Sequence, residues 1–328
     1  MGLPGNNDHG LAGLPRSSPD RATMVSMDAD DQLRLAIDAA VAAGAMAGYG
    51  NVRPEVLQHT NNVVVWLAPH PVVAKVGVWS YSRDRLQRES ELCAELAAVG
   101  APVAVPLRDS GLRSEHGLRR GAGRFGEAHA PVSLWRQLDV RGEPPTATGT
   151  AALLHRVHQD LARVAPHLHE PLPSFLSDVV RARDAAVSGE WLGTLDPDDL
   201  SMLQTAFDRW VALLTGIPDE RHQPLHGEPH AGNVLSTSHG LVMIDFESAC
   251  VGPVEWDLAN VTPEVTEAYV DLAASAGDPP IDRRRLAVMR ALNSARVATW
   301  CWASTHESMR EHGVVHLAAV RAAVEGGL

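Results

Sequence analysis

The stretch Leu225-His226-Gly227-Glu228-Pro229-His230-Ala231-Gly232-Asn233-Val234-Leu235, followed by Val242-Met243-Ile244-Asp245-Phe246-Glu247, sets oxygen-bearing side chains at fixed intervals. A carboxylate is followed by four other residues and an asparagine, and then by a hairpin that delivers Asp-Phe. Pro229 disfavours helix at Glu228 and holds it extended, so the carboxylate can project from a loop toward an acceptor hydroxyl. Asn233 on the same loop and Asp245 at a strand end can supply oxygen ligands to magnesium, which takes one or two carboxylates with phosphate oxygens and water. His226 is placed to pack beneath the loop and bond its backbone. Glu247 either helps the metal or caps a turn, and His230 is either a loop residue near the acceptor or structural.

Upstream, a single lysine, Lys75, stands among the 28 Lys and Arg side chains of the chain. A compact ammonium and a planar guanidinium are not interchangeable at a tight phosphate site, so Lys75 is a candidate for holding phosphates. Glu89 falls on the next helix as a candidate ion-pair partner for it, with Glu91 and Glu95 as near alternatives.

These residues need elements to carry them. The pattern predicts a helix over Asp30 to Ala47, opened by an acidic N-cap and closed by Gly48. Short Val- and Leu-rich strands follow at Glu55 to Leu57, Val63 to Leu67 and Val72 to Val76, separated by turn-forming segments. This antiparallel meander ends on Lys75. Arg83 to Val99 is helical, with Leu86, Leu92, Leu96 and Ala97 on one face. Two more strands are expected at Val103 to Leu107 and Val132 to Leu138, joined by a loop from Asp109 to Pro131, and Asp139 to Thr148 reads as a hinge. Helices are expected over Ala151 to Val164, Leu176 to Val187, Pro197 to Leu214, Pro263 to Ala276 and Asp282 to Ala303. A strand pair, Val234 to Leu235 with Leu241 to Asp245, lies among them. The expected class is α+β: residues 28–138 form a small antiparallel β lobe with one key helix, and 139–328 a larger, mostly helical catalytic and substrate-binding lobe. Residues 1–27, rich in Gly, Pro, Ser and Asn, read as a disordered leader.

Composition excludes several partners. With 40 acidic against 28 basic residues, a formal charge of -12 leaves little of the clustered positive surface that nucleic acid or an anionic membrane requires. The three cysteines, Cys93, Cys250 and Cys301, match neither a disulfide framework nor a zinc pattern. No signal peptide or membrane span is expected, which points to the cytoplasm. Trp300 and Trp302 are expected in the helical core, with either able to reach a substrate pocket. The chain is expected to act as a monomer or weak homodimer.

The order of Lys75, Glu89, hinge, Glu228, Asn233 and Asp245 matches the phosphotransfer layout of protein kinases. More closely, the sequence resembles the aminoglycoside phosphotransferase family, which includes choline, homoserine and macrolide kinases. The resemblance rests on the block above, on Arg88-Glu89 through Leu96-Ala97-Ala98-Val99-Gly100-Ala101-Pro102-Val103, and on Gly252-Pro253-Val254-Glu255-Trp256-Asp257-Leu258-Ala259. It implies a protein-kinase-like two-lobed fold and transfer of the γ-phosphoryl group of ATP or GTP to a hydroxyl of an antibiotic, amino sugar or small metabolite. By that resemblance Lys75 and Glu89 serve the nucleotide phosphates, while the hinge backbone at Gln137, Leu138 and Asp139 takes the base. Asn233 and Asp245 hold Mg2+, Glu228 serves the acceptor, and Asp257 bonds the catalytic loop. Two departures mark this chain. Glu228 stands where the family has Asp, and His59-Thr60-Asn61-Asn62 replaces a Gly-rich loop over the phosphates. A rival reading is a catalytically silent kinase-like binding protein.

Overall fold

The computed structural model describes residues 29–60, 62–78, 82–107, 119–125, 128–188, 195–214, 217–218, 221–303 and 307–328. The expected leader and Asn61 lie outside them. Five antiparallel strands, β1 (Arg53–His59), β2 (Asn62–Ala68), β3 (Val72–Gly77), β4 (Arg119–Phe125) and β5 (Ala128–Arg136), form one sheet in the order β1-β2-β3-β5-β4. Helix α1 (Ala29–Met46) lies on one face. Its small residues Ala36, Ala39, Ala40 and Ala43 bring it close to Val63, Val65, Leu67, Val72, Ala74 and Val76. Strand side chains alternate between faces. Ala74 and Val76 point to α1, so Lys75 between them is turned to the other face, opposite Val64 and Ser133 in register. There α2 (Ser82–Ala98) lies with Leu86, Glu89, Cys93 and Leu96 buried at helical spacing.

The rest of the chain is mostly helical, with α3 (Ala147–Val164), α4 (Leu176–Ser188), α5 (Pro197–Leu214), the short α6 (Glu255–Leu258), α7 (Pro263–Ala276), α8 (Arg283–Ala303) and α9 (Glu307–Glu325). Between α5 and α7 run two small antiparallel pairs, β6 (Gln223–Leu225) with β9 (Cys250–Gly252), and β7 (Val234–Thr237) with β8 (Gly240–Met243). One core gathers α4, α5, α8 and α9 around Phe207, Trp210 and Leu292. A second joins α2 to α3, α7 and the β7–β8 hairpin through Leu96, Leu154, Met243 and Phe246. The fold is thus α+β, a small antiparallel sheet beside a larger helical region.

Some expectations shift. Val103 to Leu107 forms no regular strand. Val103 bridges Met243 and Pro106 bridges Trp135 singly, because the prolines at 102 and 106 remove two ladder donors. The expected 109–131 loop contains β4, whose run of Arg and Gly carries no apolar alternation. The expected hinge is shorter, because Thr146 caps α3 by accepting a 3.1 Å bond from the Gly149 N–H. Helix α9 and the β6–β9 pair were not foreseen.

The close approach of α1 to the sheet is testable. Ala40→Leu adds volume to a fully packed contact and is expected to cost about 1–3 kcal/mol. Ala45→Leu on the exposed side of α1 should stay within about 0.5 kcal/mol of the parent. Urea unfolding of both variants checks the difference.

Candidate active site

Lys75 is the centre of the site. Its Nζ donates to Glu89 Oε2 at 2.8 Å and Oε1 at 3.0 Å, and to Asp245 Oδ1 at 2.6 Å. Glu247 Oε2 stands 3.6 Å away and accepts from the Asn62 amide at 2.9 Å. Glu89 also accepts from the Phe246 N–H at 3.1 Å, tying α2 to the segment that carries Asp245. Of the three glutamates of α2, the one beside Lys75 is Glu89.

The electrostatics follow from burial and proximity. Burial pushes Glu89 up to about 8, against the pull of Lys75 and with the push of Asp245 and Glu247. Burial alone would lower Lys75, but the neighbouring carboxylates outweigh it and hold its pKa well above the ordinary value. For Asp245 burial is likewise outweighed, here by Lys75, and its pKa falls. Glu247 is raised by burial. Oxygen atoms of Glu89, Asp245 and Glu247 lie within 4.8 Å of one another. Such hard oxygen donors fit magnesium.

The loop bearing Glu228 is fixed from below. The buried Asp257 accepts from the N–H groups of His226 at 2.9 Å and Gly227 at 2.8 Å, and pairs with His158 Nε2 at 2.8 Å. His158 Nδ1 meets the Tyr269 hydroxyl at 2.8 Å. His226 Nδ1 accepts from the Glu228 N–H at 3.2 Å, which leaves Nε2 to donate to the Ile244 carbonyl at 2.9 Å. This is a neutral imidazole, and burial lowers its pKa accordingly. Gly227 has φ 90°, and a Cβ there would lie 1.9 Å from the Ser248 carbonyl oxygen, so only glycine fits. Asp245 itself is left-handed at φ 67°, ψ 61°. Asn233 donates from Nδ2 to the Glu228 carbonyl at 2.9 Å, which fixes the orientation of its amide.

The surroundings of the Glu228 carboxylate were not foreseen. Oε1 accepts from Arg296 Nη2 at 3.1 Å and Oε2 from the Ser248 hydroxyl at 3.4 Å. Arg296 lies on α8, 4% exposed, and donates also to Asn293 and, at 2.9 Å, to Asp178 of α4. Burial opposes its charge, but Glu228 and Asp178 outweigh that effect and raise its pKa. Arg85 of α2 and Arg181 of α4 converge on the same Asp178. A cavity of about 250 Å³ opens here, bounded by α2, α4, Gly227, Ser248, Trp256 and Arg296.

The remaining expected residues are more dispersed. His230 is exposed and accepts from the Gly232 N–H, capping a short turn. Trp300 lies beneath the Arg181 guanidinium at 5.9 Å, while the ring of Trp302 packs against Gly313 of α9. At the hinge, the Gln137 N–H donates to the Pro71 carbonyl and the Asp139 carbonyl accepts from Ser238, with Leu138 between them.

Comparison with known proteins bears on the fold and the family. Among curated proteins none matches the sequence significantly. Solved structures share the fold. A microcompartment-associated aminopropanol kinase superposes with TM-score 0.61 at 17% identity, covering 82% of this chain and 90% of that one. The GDP and kanamycin complex of APH(2")-IIia gives TM-score 0.61 at 14% identity, covering 86% and 97%. Choline kinase from Cryptosporidium parvum Iowa II gives 0.60 at 14% identity, covering 90% and 96%. The model of the "Phosphotransferase enzyme family" matches residues 58–289, a span that takes in both Lys75 and the whole block from His226 to Asp257. The chain therefore belongs to the phosphotransferase enzyme family, the group of small-molecule kinases of aminoglycoside-phosphotransferase and choline-kinase type.

Proposed function

We propose that this chain moves the γ-phosphoryl group of ATP or GTP onto a hydroxyl of a small polar molecule, an aminoglycoside-like antibiotic, an amino sugar or another metabolite. The observation that carries the reading is the position of Lys75, held between Glu89 and Asp245 on the face of the sheet turned toward α2 and the segment that carries Asp245. Residues 28–138 would hold the nucleotide and 139–328 the acceptor. Lys75 binds the phosphates, and Asn62 steadies Glu247 beside them. The Leu138 backbone groups, which make no hydrogen bond to a described residue, are free to meet the base. Asn233, Asp245 and Glu247 would hold Mg2+, which when bound neutralises charge on the phosphate oxygens.

Glu228 acts on the acceptor. As the acceptor oxygen bonds to the γ-phosphorus and the bond to the bridging β-phosphate oxygen breaks, the hydroxyl proton passes to Glu228 and the nucleoside diphosphate leaves. Since phosphoryl transfer depends mainly on positioning and electrostatics, the anchoring of Glu228 by Arg296 and Ser248 serves to aim the longer side chain. An adequate base remains, because the carboxylate needs only to orient the hydroxyl and take its proton late. No described helix is long and apolar enough to cross a membrane, which suits a cytoplasmic site of action.

Two experiments test the reading. Lys75→Arg replaces a compact ammonium by a larger fork among three carboxylates. Turnover of nucleotide in a coupled assay is expected to fall by about a hundredfold or more, with near-parental circular dichroism, and unchanged turnover would remove Lys75 from the site. Glu228→Gln keeps the shape but loses the base, and should lower kcat by about 10²–10⁴ while nucleotide affinity, measured by titration, stays close to the parent. If Glu228→Gln is as active as the parent, another group takes the proton.

A further inference from the structure

The cavity beside Glu228 has an unusual charge balance for a chain with a formal charge of -12. Four guanidiniums line it, those of Arg85, Arg88, Arg181 and Arg296, together with the carboxylates of Asp84, Asp178 and Glu247. Two of the three carboxylates are already engaged, those of Asp178 and Glu247. Asp178 alone takes Arg85, Arg181 and Arg296. Glu247 is turned to Lys75 and Asn62. Arg88 is half-buried on α2 and makes no hydrogen bond or ion pair with any described residue. Burial and then the like charge of Arg85 lower its pKa, and the weaker pull of Asp84, Glu170 and Glu91 does not offset them. An under-compensated guanidinium facing a cavity is a place for an anion, since burying a charge without a partner is costly.

The tryptophans at and behind the cavity, Trp256 in its wall and Trp300 next to Arg181, point the same way. A cationic acceptor would seek the faces of Trp256 and Trp300. Those faces are taken, by Arg296 at 5.8 Å and by Arg181 at 5.9 Å. A second cation would meet a guanidinium at each tryptophan, which leaves the Phe175 ring, itself tilted against Trp256, as the remaining aromatic of the lining.

We propose that this cavity receives the acidic end, a carboxylate or phosphate, of the hydroxyl-bearing acceptor, with Arg88 as its main partner. The inference rests on the kinase reading for the role of Glu228. Because Gly227, Ser248 and Arg296 are shared between the cavity wall and the surroundings of Glu228, an acid seated there holds its own hydroxyl near the carboxylate that takes the proton. Of the acceptor classes open to the family, this selects a hydroxy acid or a phosphorylated alcohol over a polyamine sugar.

The test is titration calorimetry of the full chain, loaded with Mg2+ and ADP, against glycerate, glycerol 3-phosphate, glycerol and choline. Charged hydrogen bonds of this kind predict that at least one of the two acids binds about tenfold or more tightly than glycerol and choline. The acid that binds more tightly names the group. Arg88→Ala should remove the preference and Arg88→Lys should keep part of it. Equal or tighter binding of choline, or a preference untouched in Arg88→Ala, overturns the proposal. The kinase reading is tested separately by turnover. Acid binding without any nucleotide turnover would support the cavity and refute the kinase, whereas phosphorylation of choline but of neither acid would do the reverse.

Discussion

One buried ammonium organises this protein. Lys75 is drawn into contact with Glu89 from α2 and Asp245 from the β8 hairpin, two carboxylates that belong to different parts of the chain. Each carboxylate alone would resist burial, and together they would repel. The cation between them opposes both effects, outweighing burial at Asp245 though not at Glu89. Breaking a buried pair by removing one partner costs about 3–5 kcal/mol, so the sheet, α2 and the hairpin hold a common position through this contact. The bond from the Phe246 N–H to Glu89 adds a second strand to the same tie.

Asp257 plays the matching part beneath the Glu228 loop. A fully buried carboxylate without partners would be untenable, yet this one accepts two backbone N–H groups and faces a histidine. The loop it holds is pressed so close to Ser248 that no side chain fits at Gly227. The loop carrying Glu228 and the segment carrying Asp245 therefore behave as one rigid piece. Glu228, one methylene longer than an aspartate, spans from this piece to Arg296 on α8, and so joins it to the helical core.

What the sequence made readable was local. Glu228, Asn233 and Asp245 sit within one short block, and Lys75 is marked as the single lysine of the chain at a strand end. Glu89 was readable as one of three candidates on the next helix, Glu91 and Glu95 being the others, and the contact with Lys75 singles it out. The partners of Glu228 were hidden because nothing local announces them. Arg296 is separated from Glu228 by 68 positions and from Asp178 by 118, and one arginine among 27 carries no mark of its own in a sequence with a single lysine. Helix α9 was missed for a different reason. Its apolar residues are diluted by histidine, arginine and glutamate, and Val314 and Val315 remain exposed, so the stripe that would signal burial is weak. Strand β4 has no stripe at all and is held by pairing with β5.

The solitary lysine gives the molecule an uncommon chemical transparency. Reagents that acylate amine side chains would have a single such target in the chain, and it lies 8% exposed among carboxylates that keep it protonated. Its nucleophilicity is therefore suppressed by charge as well as by access, and would rise only when Asp245 or Glu89 let go of the ammonium. An acyl group found on the peptide that carries Lys75 then becomes a direct record of how often that cluster opens, read without any probe engineered into the protein.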